Sequence, residues 1–196
     1  KEAEHRFTYK RSREPQLALF DPDLWIAAKT VDFTKPRALW VNQLTRASSP
    51  VSRIEAVEAI ASWKTSEAVL TLSSAFRREK FWGVRAESAR AVGGFRSPEA
   101  LTVLKTMLKD RHPKVRRAVV EALGEFKTPD AASILLTAFR RERSYTIRAQ
   151  AIRSLARTGD PRVRQAIAQA LKTPSWIEMI RAAAVDATAT LDGRVA

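Results

Sequence analysis

The sequence predicts an all-α solenoid built from repeated pairs of antiparallel helices. Two observations predict it: one arginine recurs at a nearly constant interval, and apolar residues follow each copy with helical spacing. The arginines are Arg53, Arg85, Arg116, Arg148 and Arg181. Self-similarity at a fixed period of this length is typical of chains that stack one supersecondary unit.

The first helix of each repeat is predicted by the residues that directly follow the arginine. Apolar side chains lie four, seven and ten positions later, as in Val120, Leu123 and Phe126. This spacing places them on one face of a helix. The eighth residue is always small, which lets a neighbouring backbone approach closely; these residues are Ala61, Gly93, Gly124, Ala156 and Ala189.

A second helix is predicted after a short break. The pairs Ser97-Pro98, Thr128-Pro129 and Asp160-Pro161 each combine an N-cap residue with a proline suited to the first helical position. Apolar residues then recur at two positions of each copy, one helical turn apart: Leu72, Leu104, Leu135 and Ile167 at the first, and Phe76, Leu108, Phe139 and Leu171 at the second. Each helix has one apolar seam that only stacked neighbours can bury. We therefore expect a HEAT-type α-solenoid over residues 34–196, with a repeat of about 32 residues.

Residues 1–33 do not follow the repeat. Phe7 and Tyr9 alternate with polar residues, and residues 16–20 form a second short apolar run, which together predict a β-hairpin. We expect this hairpin to be the end of a β-sandwich domain. The chain begins at Lys1, and residues 191–196 align with the start of a further second helix. We therefore expect a piece of a larger polypeptide.

The net charge of +14, from 35 Lys and Arg against 21 Asp and Glu, raises the possibility of nucleic-acid binding. Much of it has a local explanation, because cations in the last turn of a helix complement the helix dipole. Two clusters end second helices in this way and are the candidate polyanion patches: Arg77, Arg78 and Lys80, and Arg140, Arg141 and Arg143. We expect only weak, nonspecific polyanion binding there.

The five repeat arginines form the arginine ladder, for which we expect a structural role. Equivalent positions in a solenoid lie in a row, so each arginine can brace neighbouring repeats. The expected acceptors are carboxylates such as Glu121, or backbone carbonyls between repeats.

Few residues could support chemistry. The chain has no cysteine, and its two histidines, His5 and His112, lack a histidine partner at helical spacing, so we expect no metal or cofactor in this chain. Gly93 and Gly94 close a helix and do not form a phosphate loop. A DNA glycosylase on this fold would need a carboxylate facing a basic groove, for which Asp186 and Glu178 are the nearest candidates.

Aromatic residues mark the start of the first helices. Trp82 and Tyr145 lie three positions before their arginines, and Trp176 lies in the equivalent turn of the last copy. Such residues can staple a helix start onto the preceding repeat. Alternatively, they form an exposed edge that contacts a partner.

Several phrases resemble a known family. A Leu-Phe-Asp-Pro turn at residues 19–22 is followed by Leu-Trp-Ile at 24–26, Asp-Phe-Thr-Lys-Pro at 32–36, Trp-Val-Asn-Gln-Leu at 40–44 and Phe-Trp-Gly-Val-Arg-Ala-Glu at 81–87. This succession resembles the C-terminal portion of bacterial M1-family zinc aminopeptidases, especially the branch similar to the inactive aminopeptidase-like subunit of the general transcription machinery. The repeats alone would equally suit HEAT proteins of the phycobilin-lyase type.

The resemblance implies a non-catalytic domain that packs on an upstream catalytic domain of the same polypeptide and shapes its substrate chamber. Zinc would then belong to that parent, a possible aminopeptidase. The alternative is a free-standing scaffold that binds a peptide, a protein or a nucleic acid. No apolar run reaches the roughly 18 residues of a membrane span, so we expect a soluble protein without a membrane partner, in the bacterial cytoplasm or periplasm.

Overall fold

The computed structural model describes residue 8, residues 10–22 and residues 34–193. Ten α-helices and one short 3₁₀-helix account for most of this part of the chain. The helices are α1 (Arg37–Arg46), α2 (Pro50–Ala61), α3 (Ser66–Arg78), α4 (Trp82–Gly93), α5 (Pro98–Met107), α6 (Pro113–Leu123), α7 (Pro129–Arg141), α8 (Tyr145–Thr158), α9 (Val163–Leu171) and α10 (Met179–Leu191), with the 3₁₀-helix at Trp176–Glu178. Within these stretches, no helix is long and apolar enough to cross a membrane.

The helices alternate between two layers, as the repeat predicts. The first helices, which carry the ladder arginines, are α2, α4, α6, α8 and α10; the second helices are α1, α3, α5, α7 and α9. The apolar residues four and seven positions after each of the first four arginines are completely buried, Leu123 among them. Leu72, Leu104 and Leu135 on the second helices are also completely buried. The predicted HEAT-type solenoid is confirmed.

Neighbouring first helices pack closely against one another, whereas the second helices touch less. Glycine makes this possible: a Cβ atom on Gly93 would lie 2.6 Å from the Cβ of Ala122 on α6. A Cβ on Gly124 would lie 2.6 Å from a terminal guanidinium nitrogen of Arg157 on α8. The small eighth residue therefore sets the spacing of the first-helix layer.

Side-chain caps start three of the second helices. Thr65, Ser97 and Thr128 each accept a hydrogen bond from the backbone N–H three positions later. The prediction that Asp160-Pro161 starts α9 in the same way is wrong, because α9 begins at Val163. Asp160 Oδ1 instead accepts from the backbone N–H of Arg162, at 2.9 Å, and its carboxylate binds that arginine's guanidinium. This turn delays the start of the helix.

Helix α1 is the second helix of an earlier repeat whose first helix has no counterpart among the described residues. Trp40 and Leu44 are buried and lie one repeat before Leu72 and Phe76, which occupy the same repeat positions. Gln43, also buried, donates from Nε2 to the backbone carbonyl of Ser52 on α2, at 2.7 Å. The repeat thus extends closer to the N-terminus than the ladder arginines indicate.

The β-hairpin predicted near the N-terminus is not seen. Its second strand, at residues 16–20, is irregular chain with bends, so that prediction is wrong for this segment. Phe7 and Tyr9, in the first predicted strand, lie outside the described residues. Side chains hold the segment instead, because Lys35 Nζ donates to the carbonyl of Ala18 and Arg46 donates to Gln16. A strand without a paired neighbour leaves its backbone hydrogen bonds unmade.

The C-terminal end of the described stack leaves apolar side chains exposed. Leu171, which the repeat places in an apolar seam, is 44% exposed, and Val185 on α10 is 61% exposed. In the other repeats the next helix pair covers these positions. Among the described residues, no further helix pair follows α10, so the apolar side chains of this seam stay exposed to solvent.

Candidate functional site

Three arginines of the ladder make the same set of hydrogen bonds. The Nε and one terminal nitrogen of Arg85 bind the two carboxylate oxygens of Asp110, at 2.7 and 3.2 Å. The other terminal nitrogen donates to the carbonyls of Glu79 and Lys80, at 3.1 and 2.8 Å. Arg53 repeats this arrangement with Glu79, and Arg116 repeats it with Glu142.

Each of these three arginines joins two consecutive turns between repeats. The carbonyls belong to the turn before the arginine's own helix, and the carboxylate belongs to the turn before the next first helix. The carboxylate also accepts from the backbone at that helix start, as when Asp110 Oδ1 accepts from the N–H of His112 at 2.7 Å. One guanidinium therefore fixes the register between adjacent repeats. Bidentate pairs of this kind are among the strongest side-chain hydrogen bonds.

Burial makes these pairs sensitive to the loss of one partner. The side chains of Arg85 and Asp110 are only 8% and 7% exposed. For Glu142, hydrogen bonding to Arg116 lowers the carboxyl pKa below its ordinary value; burial acts in the opposite direction. The ion-paired form is therefore the one that the fold stabilises.

The last two ladder arginines bind differently. Arg148 donates from Nε to the carbonyl of Phe139 at 2.8 Å, and its guanidinium carbon lies 5.5 Å from the centre of the Phe139 ring. Arg181 donates from Nε to the carbonyl of Leu171 at 2.9 Å and forms an exposed ion pair with Glu178. We call the full set of bonds, to one carboxylate and two backbone carbonyls, a brace. Within the described chain, only Arg53, Arg85 and Arg116 form a complete brace.

The carboxylates that complete the ladder are Glu79, Asp110 and Glu142, and Glu121 is not among them. The expectation for Glu121 is wrong because its side chain projects from the exposed face of α6, where it pairs with Arg90 at 3.3 Å. The sequence signal for the true partners is simple: an acidic residue lies six positions before Arg85, Arg116 and Arg148.

A second row of charges follows the exposed face of the first helices. It occupies the fifth position after each ladder arginine and alternates in sign: Glu58, Arg90, Glu121, Arg153 and Asp186. Arg90 pairs with Glu121, and Arg153 pairs with Asp186 at 2.7 Å. We call these five residues the alternating row. Sequence reasoning missed it, although the repeat register contains it.

The aromatic residues at the helix starts have different environments. Trp82 is half-buried and stacks on His112 of the next repeat, with ring centres 5.1 Å apart and planes nearly parallel. Lys114 Nζ lies 4.4 Å from the centre of the Trp82 ring. Tyr145 and Trp176 are 43% and 67% exposed. Trp82 thus packs on the following repeat, whereas the staple interpretation placed such contacts on the preceding one. For Tyr145 and Trp176 the exposed-edge interpretation stays a prediction.

The two basic clusters are exposed and lie at equivalent positions two repeats apart. Arg77 and Arg78 form the last turn of α3, Arg140 and Arg141 form the last turn of α7, and Lys80 and Arg143 follow in the adjacent turns. They share the helix ends with the ladder carboxylates Glu79 and Glu142. The structure does not gather them into one patch with the alternating row, which lies on the first helices.

The candidates for chemistry are dispersed. Asp186 and Glu178 are each engaged by an arginine on the surface. Among the described residues, no three His, Cys, Asp or Glu side chains come together as a metal site. His112 stacks on Trp82, and its buried Nδ1 has no hydrogen-bond partner in the part of the chain described; His5 lies outside that part.

Comparison with known proteins gives a family match and a number of similar solved structures, among them the following two. The family model described as HEAT repeats matches residues 38–110, 71–148 and 135–196. The complex of CpcE and CpcF of phycocyanin lyase from Nostoc sp. PCC7120 contains a chain with 22% identity and a TM-score of 0.63, over 78% of this chain and 97% of that one. Human deoxyhypusine hydroxylase in complex with glycerol has 18% identity and a TM-score of 0.57, over 79% of this chain and 62% of that one. No curated protein matches the sequence.

Proposed function

The chain belongs to the HEAT-repeat family, and from this premise we propose that it is a non-catalytic scaffold that binds a protein ligand along its first-helix layer. The observation that carries the proposal is the alternating row. Its members project from successive first helices, and Arg90, Glu121, Arg153 and Asp186 have side chains 38–56% exposed. They occupy the same position on successive helices, and ion pairs join Arg90 to Glu121 and Arg153 to Asp186.

The alternation of sign favours a protein ligand over a polyanion. A phosphate backbone following this layer would meet a carboxylate at every second repeat, at Glu58, Glu121 and Asp186. Like charges brought together at an interface are unfavourable, whereas a protein surface can present both signs in register. The excess positive charge at the ends of α3 and α7 is displaced from this row.

The similarity to the CpcE–CpcF complex also supports a protein partner. The fold matched there belongs to a structure of two chains in complex, and the match covers nearly the whole of one of its chains. At this level of identity the similarity concerns the fold, and we do not transfer the lyase activity. The proposal for the present chain is limited to protein binding.

Site-specific photo-crosslinking in cells of the source organism tests the proposal. A photoreactive residue at exposed Arg117 on α6 should give a discrete protein adduct, and one at exposed Thr102 on α5 should not. Introducing Glu121→Arg beside the probe should reduce the adduct yield, because it removes the alternation. Equal adducts from both positions, or an adduct from Thr102 alone, would contradict a ligand surface on the first helices.

A narrower proposal is that this scaffold is the C-terminal domain of an M1-like zinc aminopeptidase and packs on its catalytic domain. Its support is the succession of phrases from residue 19 to residue 87 described above, of which 81–87 form the turn and start of α4. Zinc would then be bound upstream of this chain. The test is the coding sequence that precedes Lys1: a His-Glu-x-x-His helix there supports the narrower proposal, and an unrelated domain contradicts it.

A further inference from the structure

The fourth brace of the ladder lacks its carboxylate. In the first three, the acidic partner lies in the turn before the next first helix, six positions before the next ladder arginine. For Arg148 the corresponding turn positions hold Thr173, Pro174 and Ser175. None of them can supply a carboxylate, although the arginine itself is retained at its repeat position.

The guanidinium of Arg148 therefore retains free hydrogen-bonding capacity. Its Nε donates to the carbonyl of Phe139, and its two terminal nitrogens have no acceptor within the described residues. Among the described residues, the only buried side-chain nitrogen or oxygen without a hydrogen-bond partner is Nδ1 of His112. The two terminal nitrogens of Arg148 are therefore not buried and are accessible to solvent. In Arg53, Arg85 and Arg116 the same two nitrogens bind a carboxylate and backbone carbonyls.

The turn that should carry the missing carboxylate is also unlike the others. Ile177 and Glu178 both have positive φ, at 44° and 55°, a conformation that is costly for residues other than glycine. Trp176 and Ile177 are 67% and 69% exposed. Such strain persists only where other interactions maintain it, and it often occurs at ligand-binding sites. A strained turn with two exposed apolar side chains thus takes the place of an internal ion pair.

We propose that Arg148 and residues 172–178 form a binding site for a carboxylate side chain of a protein partner, with an apolar residue of that partner contacting Trp176 or Ile177. The partner's Asp or Glu would bind the two terminal nitrogens of Arg148, because its Nε already donates to the carbonyl of Phe139. A guanidinium fork matches a carboxylate in bidentate geometry, and the three internal copies show that this position selects a carboxylate. The site lies at the turns, apart from the alternating row, so it stands whether or not the first-helix layer binds a ligand.

The probe for this site is a blocked hexapeptide of alternating glutamate and leucine, with a glutamine–leucine peptide as control. Binding is followed by the NMR signals of the Arg148 Nε–H group and the Trp176 indole N–H group, at about 0.15 M salt to limit nonspecific attraction. Arg148→Gln should weaken binding of the glutamate peptide by about tenfold or more, which corresponds to one charge-assisted bidentate contact. The control variant Arg164→Gln, at an exposed position on α9, removes the same charge and should change the affinity by less than about threefold.

A second variant tests the site without removing the arginine. Ser175→Glu, six positions before Arg181, supplies the missing carboxylate within the chain, so it should shift the Arg148 Nε–H signal in the absence of peptide and weaken peptide binding by about tenfold. Circular dichroism establishes that each variant is folded. Equal losses in Arg148→Gln and Arg164→Gln, equal binding of the two peptides, or equally strong competition by inorganic phosphate would overturn the proposal.

Discussion

Two arginines on α4 show how burial determines the role of a charge. Arg85 and its partner Asp110 are almost completely buried and join two turns, whereas Arg90 is 40% exposed and pairs with Glu87 and Glu121 on the surface. Exposed pairs contribute little because water and ions screen them. A buried pair is costly to break because the remaining partner is left charged and desolvated.

We therefore predict that Arg85→Met destabilises the protein by about 3–5 kcal/mol, since Asp110 would lose its counter-charge. The matched change Arg90→Met should cost less than about 1 kcal/mol. Urea unfolding of both variants measures the two values. Similar losses would show that position in the ladder confers no special stability.

Glu142 provides a test by pH. Its folded pKa is lowered, first by hydrogen bonding to Arg116, so its contribution to stability is complete above the ordinary glutamate pKa of 4.5 and disappears as pH falls through the lowered folded value. Glu142→Gln should thus be less stable than the wild type at neutral pH, and the gap should narrow in acid. Denaturant midpoints at about pH 7 and pH 3 measure this gap. A gap that stays constant across this range would contradict the ion-pair interpretation.

The sequence predicted the arginine ladder but not its carboxylate partners. The interval between arginines identified the ladder and the apolar positions, because both follow the helical repeat. The partners Glu79 and Asp110 follow the same interval but were missed, because they lie in turns, outside the helical pattern. The helical pattern alone does not distinguish Arg148 from its equivalents. The difference lies in the turn at residues 173–175, which contains no acidic residue.

At the scale of elements, small residues and turns determine how closely the helices pack. Gly93 contacts Ala122 on the neighbouring first helix, whereas Gly94, the next residue, has only the carbonyl of Ala91 near the position of a Cβ, at 3.4 Å. Both have ordinary helical backbone angles, so a substitution there tests space and not conformation.

We predict that Gly93→Ala destabilises the stack by about 1–3 kcal/mol, because the added methyl group would force α4 and α6 apart. Gly94→Ala should be neutral or stabilising by up to about 1 kcal/mol, since it restricts the unfolded chain without a clash. Thermal unfolding of both proteins compares them directly. If Gly93→Ala were the more stable of the two, the close approach of the first helices would be wrong.

The turns and the N-terminal segment were the least predictable elements. The delay of α9 to Val163 arises from the bonds between Asp160 and Arg162, which a Pro pattern does not reveal. The positive φ angles of Ile177 and Glu178 oppose local preference, so the sequence pattern does not predict them. Residues 16–20 form an apolar run typical of a strand, but a strand also requires a partner, and the local sequence does not supply one.

At the scale of the whole molecule, the charge distribution separates the two binding hypotheses. If the net charge of +14 serves mainly the helix ends and the braces, the protein should bind nucleic acid weakly and without sequence preference. We predict a dissociation constant no tighter than roughly 10⁻⁴–10⁻⁶ M near physiological salt, with a steep decrease in affinity as salt rises.

Competition binding between duplexes of different sequence measures this property. Reversing Arg140, Arg141 and Arg143 to glutamate should lower the weak binding for all sequences alike. A preference of the order of 10³ for one duplex would indicate a nucleic-acid reader and would contradict the protein-binding proposal.

The central claim is that one repeat register organises the whole chain into a single stack of mutually dependent units. Leu123, completely buried in the middle first helix, tests it most directly. Leu123→Asp should cost about 3–5 kcal/mol and lower the melting temperature by roughly 6 °C or more, with reduced hydrogen-exchange protection in the neighbouring helices α4 and α8 as well as in α6. Melting within a degree or two of the wild type, or loss of protection confined to α6, would contradict the register and the stack.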